Sequence, residues 1–378
     1  MPEVADFPFA SLSRFPDVEA PNLFAHDATD ELLLRTAAPA LEGNPDGVVV
    51  VGDRYGALTL GAAALHSCHG LRVHQDPLSG ECALRRNALQ LGLPERFSHH
   101  GLDACLLDGA RTVLLQLPRS LDALDEIAGA IAQHAAPDVQ VFAGGRVKHM
   151  SHAISGVLAR HFSEVSAGLA HRKSRVLTAA GLLHATERPF PAEETHDVGL
   201  AAPLVLRAYG AAYAGTKLDP GTRFLLPRLA GARAAASAVD LGCGTGAIAA
   251  YLALSRPELM VTATDQSWAA VKSATETAAA NAVADRMRVV RDDAMSTWAE
   301  ASVELVVLNP PFHIGASVHT GLAHKLFAAA ARVLVPGGEL WTVWNSHLQY
   351  RPALERLIGP TRQVARNPKF TLTASTRR

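Results

Sequence analysis

The sequence predicts an α/β protein of two tandem, Rossmann-like, doubly wound domains, the N-terminal one degenerate. Three observations carry this. In the second half, short apolar runs alternate with helix-forming stretches of ten or more residues, the pattern of βαβ units feeding a mostly parallel sheet. Alternate glycines, Gly242-Cys243-Gly244-Thr245-Gly246, sit at one strand-to-helix junction, where missing side chains let the backbone turn tightly and approach a ligand. Landmarks of the second half also recur, more faintly, about 190 residues earlier.

The elements of the second half follow in order. Ala236–Leu241 is an apolar strand, and Ala247–Leu254 is helical in composition. Met260–Thr264 is a second strand ending at Asp265, followed by an Ala-rich helix to about Ala282. Met287–Val290 and Val303–Leu308 are strands, the latter running into Asn309-Pro310-Pro311-Phe312. Gly321–Leu334 reads as a helix, Pro336-Gly337-Gly338 as a turn and Glu339–Trp344 as a fifth strand. Gln363–Ala365 and Phe370–Thr373, split by Asn367-Pro368, read as a hairpin closing the sheet edge.

In the first half, Val48–Val51 leads into Gly52-Asp53-Arg54-Tyr55-Gly56, 190 residues before the glycine run. Leu71–Gln75 ends at Asp76, 189 residues before Asp265, and Asn87 precedes Asn281 by 194. Thr112–Leu117 is closed by Pro118, 192 residues before Pro310, and Arg172–Ala180 echoes Asn367–Ser375. This near-constant offset favours a duplication over two unrelated domains that share a spacing. The join is placed in Thr186–Gly199, which holds Pro189, Pro191 and Glu193-Glu194, giving domains at 1–187 and 188–378.

The 378 residues suit two domains, and 48% hydrophobic against 19% charged residues excludes general disorder. A net charge of -1 excludes a uniformly basic nucleic-acid coat but leaves room for local patches. Glu164 is the one acid among Arg146, Lys148, Arg160, Arg172, Lys173 and Arg175, and the tail adds Arg362, Arg366, Lys369, Arg377 and Arg378. Such runs can contact phosphates; each residue taken singly reads equally as a solvated face. Four cysteines without a C-x-x-C pair read as a reduced, cytoplasmic protein rather than a disulfide or zinc scaffold. No apolar run approaches the ~18 residues of a membrane span, and the acidic start lacks the basic region of a signal peptide.

The glycine spacing is G-x-G-x-G, not the G-x-G-x-x-G dinucleotide fingerprint, and it lacks the Gly-Lys-Ser/Thr of a P-loop. The helix start after Gly246 would offer free N–H groups. Asp265, at the next strand end, is placed to accept from two ribose hydroxyls. Asp292-Asp293-Ala294 follows the third strand; Asp293 there can accept from an adenine amino group, the plainer reading being a polar loop.

Asn309-Pro310-Pro311-Phe312 carries the chemistry. Two prolines fix φ and stiffen the loop. The Asn309 side-chain oxygen and the Pro310 carbonyl can then accept both N–H bonds of a planar amino group, which favours pyramidalisation and exposes the lone pair. Phe312 can stack on the attached ring. An amine so held needs no strong base when the electrophile is an in-line sulfonium methyl, because orientation supplies most of the acceleration. An Asn-Pro turn ending a strand is common; the upstream glycines and acid tip the balance to function.

On these residues the C-terminal half resembles class I S-adenosylmethionine-dependent methyltransferases acting on exocyclic amines. Among them it is similar to the bacterial ribosomal RNA guanine-N2 methyltransferases of the RlmG/RsmC type, with their "methyltransferase small" domain. The resemblance covers nearly the whole chain and rests on VDLGCGTG at 239–246, LNPPFH at 308–313, LDPGTRFLL at 218–226 and the degenerate first repeat. SLSRFPD at 11–17 and RNPKF at 366–370 look more like the large-subunit enzyme. The resemblance implies S-adenosyl-L-methionine at Asp240, Gly242, Gly244, Gly246 and Asp265, with its adenine near Asp293 and Ala294. The target guanine would lie at Asn309, Pro310, Pro311 and Phe312, with Asn309 also touching the cofactor, and Leu218–Thr222 would close over the cofactor. Asp293 departs from relatives that carry an amide there. The implied partner is ribosomal RNA, 23S favoured over 16S, bound by a monomer that needs no metal and no membrane.

Two alternatives stand beside this reading. The same motif serves other planar amines, of DNA adenine or protein glutamine, although Phe312 argues against the glutamine type, which usually carries Tyr. A non-catalytic RNA-binding or assembly protein could also keep a cofactor pocket, against which the intact 309–312 motif weighs. The first repeat is expected to be folded but inactive, serving RNA docking or support of the second domain. Arg54 and Tyr55 stand where Gly244 and Thr245 would be, and Gln116-Leu117-Pro118 lacks the reaction motif. His66, Cys68 and His69, and His149 with His152, lack a four-ligand spacing and read as surface or packing residues. His313 could relay a proton or touch a phosphate. Cys243 reads as a small residue rather than a nucleophile, and Trp341 and Trp344 as core.

Overall fold

The computed structural model describes residues 7–94, 96–183, 189–311 and 320–378. The chain divides into two compact units, Met1–Phe190 and Pro191–Arg378.

The first unit contains β1 (Val48–Val51), β2 (Leu71–His74), β3 (Phe97–His99), β4 (Thr112–Gln116), β5 (Gln140–Arg146), β6 (Phe162–Ala167) and β7 (Ser174–Leu182). They form one sheet in the order β3-β2-β1-β4-β5-β7-β6. The central strand β1 is four consecutive valines, all buried, as a strand covered by helices on both faces requires. Only β7 runs antiparallel, pairing with β5 and β6.

The second unit opens with an antiparallel ribbon of β8 (Ala192–His196) and β9 (Leu204–Ala208). Its sheet contains β10 (Ser237–Leu241), β11 (Met260–Asp265), β12 (Met287–Arg291), β13 (Val303–Leu308), β14 (Leu334–Asn345), β15 (Thr361–Arg366) and β16 (Phe370–Thr376). The order is β12-β11-β10-β13-β14-β16-β15, the same winding as in the first unit, again with an antiparallel hairpin at the end. Trp341 and Trp344, both fully buried, sit in separate cores on the two faces of this sheet. Pro336-Gly337-Gly338, read from sequence as a turn, lies inside β14 as a bulge: Val303 pairs with Leu334, but Leu305 pairs with Glu339.

The repeated asparagines do the same work twice. Asn281 accepts the Val205 N–H (3.0 Å) and donates to the Val205 carbonyl (2.6 Å), tying β9 to the helix Trp268–Ala280. Asn87, fully buried, accepts from Ser13 N–H (3.1 Å) and donates to the Ser13 and Tyr55 carbonyls (2.9 and 2.8 Å). In each unit an amide in the last turns or at the cap of a helix pins the strand or segment that precedes the sheet.

The strand register corrects two of the sequence correspondences. Val51 pairs with His74 as Leu241 pairs with Thr264, so Gln75, not Asp76, occupies the place of Asp265. Val51 pairs with Leu115 as Leu241 pairs with Leu308, so Gln116 stands at the place of Asn309, and Leu117 rather than Pro118 at that of Pro310. Loop lengths absorb the one-residue differences, which spacing alone cannot see. Among the described residues no helix is long and apolar enough to cross a membrane.

Candidate active site

Three positive-φ glycines shape the loop after β10: Gly242 (+71°), Gly244 (+52°) and Gly246 (+79°). The N–H groups of Gly242 and Cys243 both donate to the Thr264 carbonyl, at 2.8 and 3.0 Å, binding the loop to β11. Among the described residues a Cβ on Gly242 or Gly244 would meet nothing within 4 Å, whereas one on Gly246 would stand 2.8 Å from Met287 Cε and 2.9 Å from Ala274 Cβ. The first two glycines therefore border open space, and the third lets the following helix, Ala247–Ser255, pack closely. Asp265 accepts the Gly244 N–H on Oδ2 and the Ser267 N–H on Oδ1, each at 3.0 Å.

Asp240 sits deeper. It is fully buried, its Oδ2 accepts the Ala249 N–H at 3.0 Å and its Oδ1 has no partner among the described residues. Burial pushes its carboxyl up to about 7. It joins the central strand to the helix start behind the loop. Cys243 is also buried, which pushes its thiol well above the usual range and leaves it a packing residue.

After β12 the two aspartates separate in role. Asp292 is consumed structurally: Oδ1 accepts from Ser296 N–H (2.6 Å) and Oγ (3.1 Å), and Oδ2 from Thr297 N–H (3.2 Å) and Oγ1 (2.5 Å). These bonds hold Ala294 and Met295 at φ of +56° and +55°, a conformation that costs an L-residue about 1–2 kcal/mol. Asp293 instead pairs through Oδ2 with Lys325 Nζ at 2.5 Å. Lys325 comes from the helix Thr320–Val333 and carries no sequence signal of this role.

At the end of β13, the Asn309 amide nitrogen donates to Asp219 Oδ2 (2.8 Å) and Thr222 Oγ1 (3.0 Å). Its Oδ1 is buried and has no partner among the described residues. Asp219 is the N-cap of the helix Pro220–Leu225, accepting from Gly221 and Thr222 N–H at 2.8 and 3.1 Å, with Pro220 in the first turn. A Cβ on Gly221 would lie 3.3 Å from Asn309 Oδ1 and 2.9 Å from Asp219 Oδ2, so glycine lets the amide seat directly on the helix start. Pro310 is buried and Pro311 exposed. Phe312 and His313 lie outside the described residues. Asp219 and Thr222 belong to the segment that the sequence reading expected to close over the cofactor; these two hold Asn309, 90 and 87 residues away in sequence.

The first unit keeps the loop but fills it. Gly52, Arg54 and Gly56 have φ of +77°, +64° and +104°, the same alternation, with Arg54 forced into the left-handed region. The Gln75 amide, oriented by its acceptors, donates to the Arg54 (2.5 Å) and Gly80 (3.2 Å) carbonyls. Tyr55 donates to Asp17 Oδ2 at 2.6 Å, and Arg14 lies 4.5 Å over the Tyr55 ring while pairing with Asp17 at 3.1 Å. SLSRFPD thus covers the degenerate loop from within its own unit. Among the described residues no group of three or more His, Cys, Asp or Glu is placed to hold a metal. His66 and His69 lie against Glu42 and Asp46, at 3.2 and 2.5 Å.

Comparisons with known proteins place this architecture. Residues 4–182 match the RLMG N-terminal domain family and residues 204–374 the methyltransferase small domain family. The chain is 36% identical over 373 residues to ribosomal RNA large subunit methyltransferase G of Pseudomonas aeruginosa (strain UCBPP-PA14), covering 97% of each chain. It is 34% identical over 379 residues to the protein of that name from Stutzerimonas stutzeri (strain A1501), covering 98% of this chain and 99% of the relative. The fold matches the T. thermophilus 16S rRNA N2 G1207 methyltransferase (RsmC), solved with AdoMet and guanosine. The TM-score is 0.75 over 93% of this chain and 92% of that one, at 21% identity. With matching winding in both units and full-length identity of this order, the chain belongs to the ribosomal RNA large subunit methyltransferase G family.

Proposed function

We propose that the second unit transfers a methyl group from S-adenosyl-L-methionine to the exocyclic N2 of a guanine in ribosomal RNA, 23S favoured over 16S. The observation that carries this is the Asn309 amide: its nitrogen is saturated by Asp219 and Thr222, and its buried oxygen is left without a donor among the described residues. A buried unpartnered acceptor costs on the order of 1–3 kcal/mol, which a substrate N–H would recover. The relatives' names supply the ribosomal RNA and the large subunit.

The open space beside Gly242 and Gly244 fits a nucleotide-bearing ligand lying against the loop backbone. Gly242, Gly244 and Asp265 would hold S-adenosylmethionine, with Gly246 letting the following helix pack against the loop, Asp293 and Ala294 toward the adenine and Asp240 bracing the loop from behind. The cofactor supplies an electrophilic sulfonium methyl. Asn309 Oδ1 and the Pro310 carbonyl hold the two amine hydrogens, Phe312 stacks on the base, and Pro311 stiffens the loop. Orientation then does most of the work. A guanine in a duplex must leave the stack to reach this pocket. The first unit, with its cradle filled, is non-catalytic and docks RNA through phosphate contacts of Arg146, Lys148, Arg172 and Lys173. The enzyme acts as a cytoplasmic monomer on protein-free or partly assembled RNA.

The test is transfer of labelled methyl to protein-free 23S and 16S RNA, assembled subunits and total protein, with nucleoside analysis. N2-methylguanosine in 23S RNA is expected. Label in protein or in another nucleoside discards the substrate, and no transfer despite cofactor binding overturns the activity. Asn309→Ala is expected to abolish multiple-turnover transfer, leaving only a residual single-turnover rate, with cofactor binding kept, and Asp265→Ala to weaken cofactor binding. Equal loss of cofactor binding in both would refute this division of roles.

A further inference from the structure

We propose that Asp219 is a positioning residue for the transfer: it fixes which way the Asn309 amide faces, and so makes the site select an amine over a carbonyl. The inference rests on reading Asn309 Oδ1 as the acceptor for the target amine.

An amide has a donor end and an acceptor end of nearly the same shape, and only its neighbours decide which end faces a ligand. Thr222 Oγ1 tolerates either end, because a hydroxyl both donates and accepts. The Asp219 carboxylate can only accept, and it lies 2.8 Å from the Asn309 amide nitrogen. Reversing the amide would set its oxygen against that carboxylate, an acceptor against an acceptor. Asp219 is itself held in place, since the same oxygen caps the helix through Gly221 and Thr222 N–H. Gly221 completes the seat, because a Cβ there would stand 2.9 Å from Asp219 Oδ2 and crowd Asn309 Oδ1 at 3.3 Å. The amide oxygen is thereby turned to the buried side where it has no donor among the described residues. A reversed amide would present N–H there, which suits a carbonyl and repels an amine.

The first unit carries the relic of the same device. Gln116, at the register position of Asn309, donates through its amide nitrogen to Asp30, three residues into the motif whose N-cap is Asp27. The carboxylate comes from the helix preceding the sheet in both units, although the reaction motif survives in only one.

The test is a cycle of Asp219 and Asn309 variants, read by single-turnover methyl transfer to 23S RNA, RNA KM, calorimetric cofactor binding and thermal unfolding. Asp219→Ser keeps a good N-cap but is too short to reach Asn309. Its rate is expected to fall roughly 100-fold, the order of loss for a misplaced reacting group, with RNA KM and cofactor affinity within about threefold. Combined with Asn309→Ala, it should add no further loss, because two groups acting through one interaction are not additive. In Asp219→Asn the oxygen must still face the two backbone N–H groups, so the loss should be smaller, about tenfold, and again absent beside Asn309→Ala. This variant carries the test should D219S unfold early. A wild-type rate in D219S, or the same factor lost with and without Asn309, overturns the inference while leaving the proposed reaction intact. An unmutated enzyme that methylates no RNA overturns the reaction and this inference with it.

Discussion

Two glycines two positions apart, Gly244 and Gly246, should fail in opposite ways when each is replaced by alanine. Gly244 has φ +52° and open space around a Cβ; Gly246 has φ +79° and a Cβ position 2.8 Å from Met287 and 2.9 Å from Ala274. Gly244→Ala carries only the left-handed cost, about 1–2 kcal/mol. Arg54 adopts φ +64° at the matching place in the first unit, so a side chain there is tolerated by the backbone. Gly246→Ala adds overpacking, typically 1–3 kcal/mol, for a total of about 2–5 kcal/mol. At roughly 2–4 °C per kcal/mol for a unit of this size, calorimetry should separate the two melting shifts of the second unit. The order reverses for the cofactor. The new methyl of G244A points into the cradle, so titration calorimetry should show binding weakened about tenfold or more. G246A should retain near-normal affinity at temperatures where it is folded. Wild-type cofactor affinity in G244A, or equal melting temperatures in the two variants, would refute the assignment of Gly244 to the cradle and Gly246 to packing.

Further outcomes follow from other sites. Asn87→Ala strands the Ser13 N–H and the Ser13 and Tyr55 carbonyls. The first unit should lose about 2–4 kcal/mol in urea titrations, and a loss below about 1 kcal/mol would show that the amide is not a pin. The Asp240 carboxyl, pushed to about 7 from 3.8 in the unfolded chain, keeps its proton in the folded state across that window. Unfolding then releases a proton, and stability falls as pH rises from about 4 to 7, by up to about 1.4 kcal/mol per pH unit. Asp240→Asn, with its amide nitrogen in place of the unpartnered Oδ1, should flatten this slope in the second unit's pH–stability profile; an unchanged slope would exclude Asp240 as its source. Asp265→Ala should also loosen the loop, since it removes the acceptor of the Gly244 N–H, measurable as faster amide hydrogen exchange at Gly244.

Much of this protein was legible along the chain. Alternating strands and helices, the glycine run and Asn309-Pro310-Pro311 are local patterns whose spacing follows from the period of an element or the stiffness of a turn. The duplication was legible for the same reason, because each copy repeats its local signals at a near-constant offset. Even the Asp219-Pro220-Gly221 helix start is a local cap signal, although its meaning for the site is not.

What only the tertiary structure decided are the meetings of residues distant in sequence. Strand pairing put Gln75 rather than Asp76 at the acid position, a one-residue difference that separates neighbouring faces of a strand. Folding brought Asp219 to Asn309, Lys325 to Asp293 and Asp17 to Tyr55. It also buried Asp240 behind the loop that its place in the motif had suggested it would line. Periodicity and propensity specify which elements form. Side-chain partners across elements depend on register and packing angle, which emerge only when the sheet closes its cores. The sequence alone therefore determined the fold and the order of its repeated elements, while the assembled sheet decided which acid meets Asn309 and why the first unit's loop is filled.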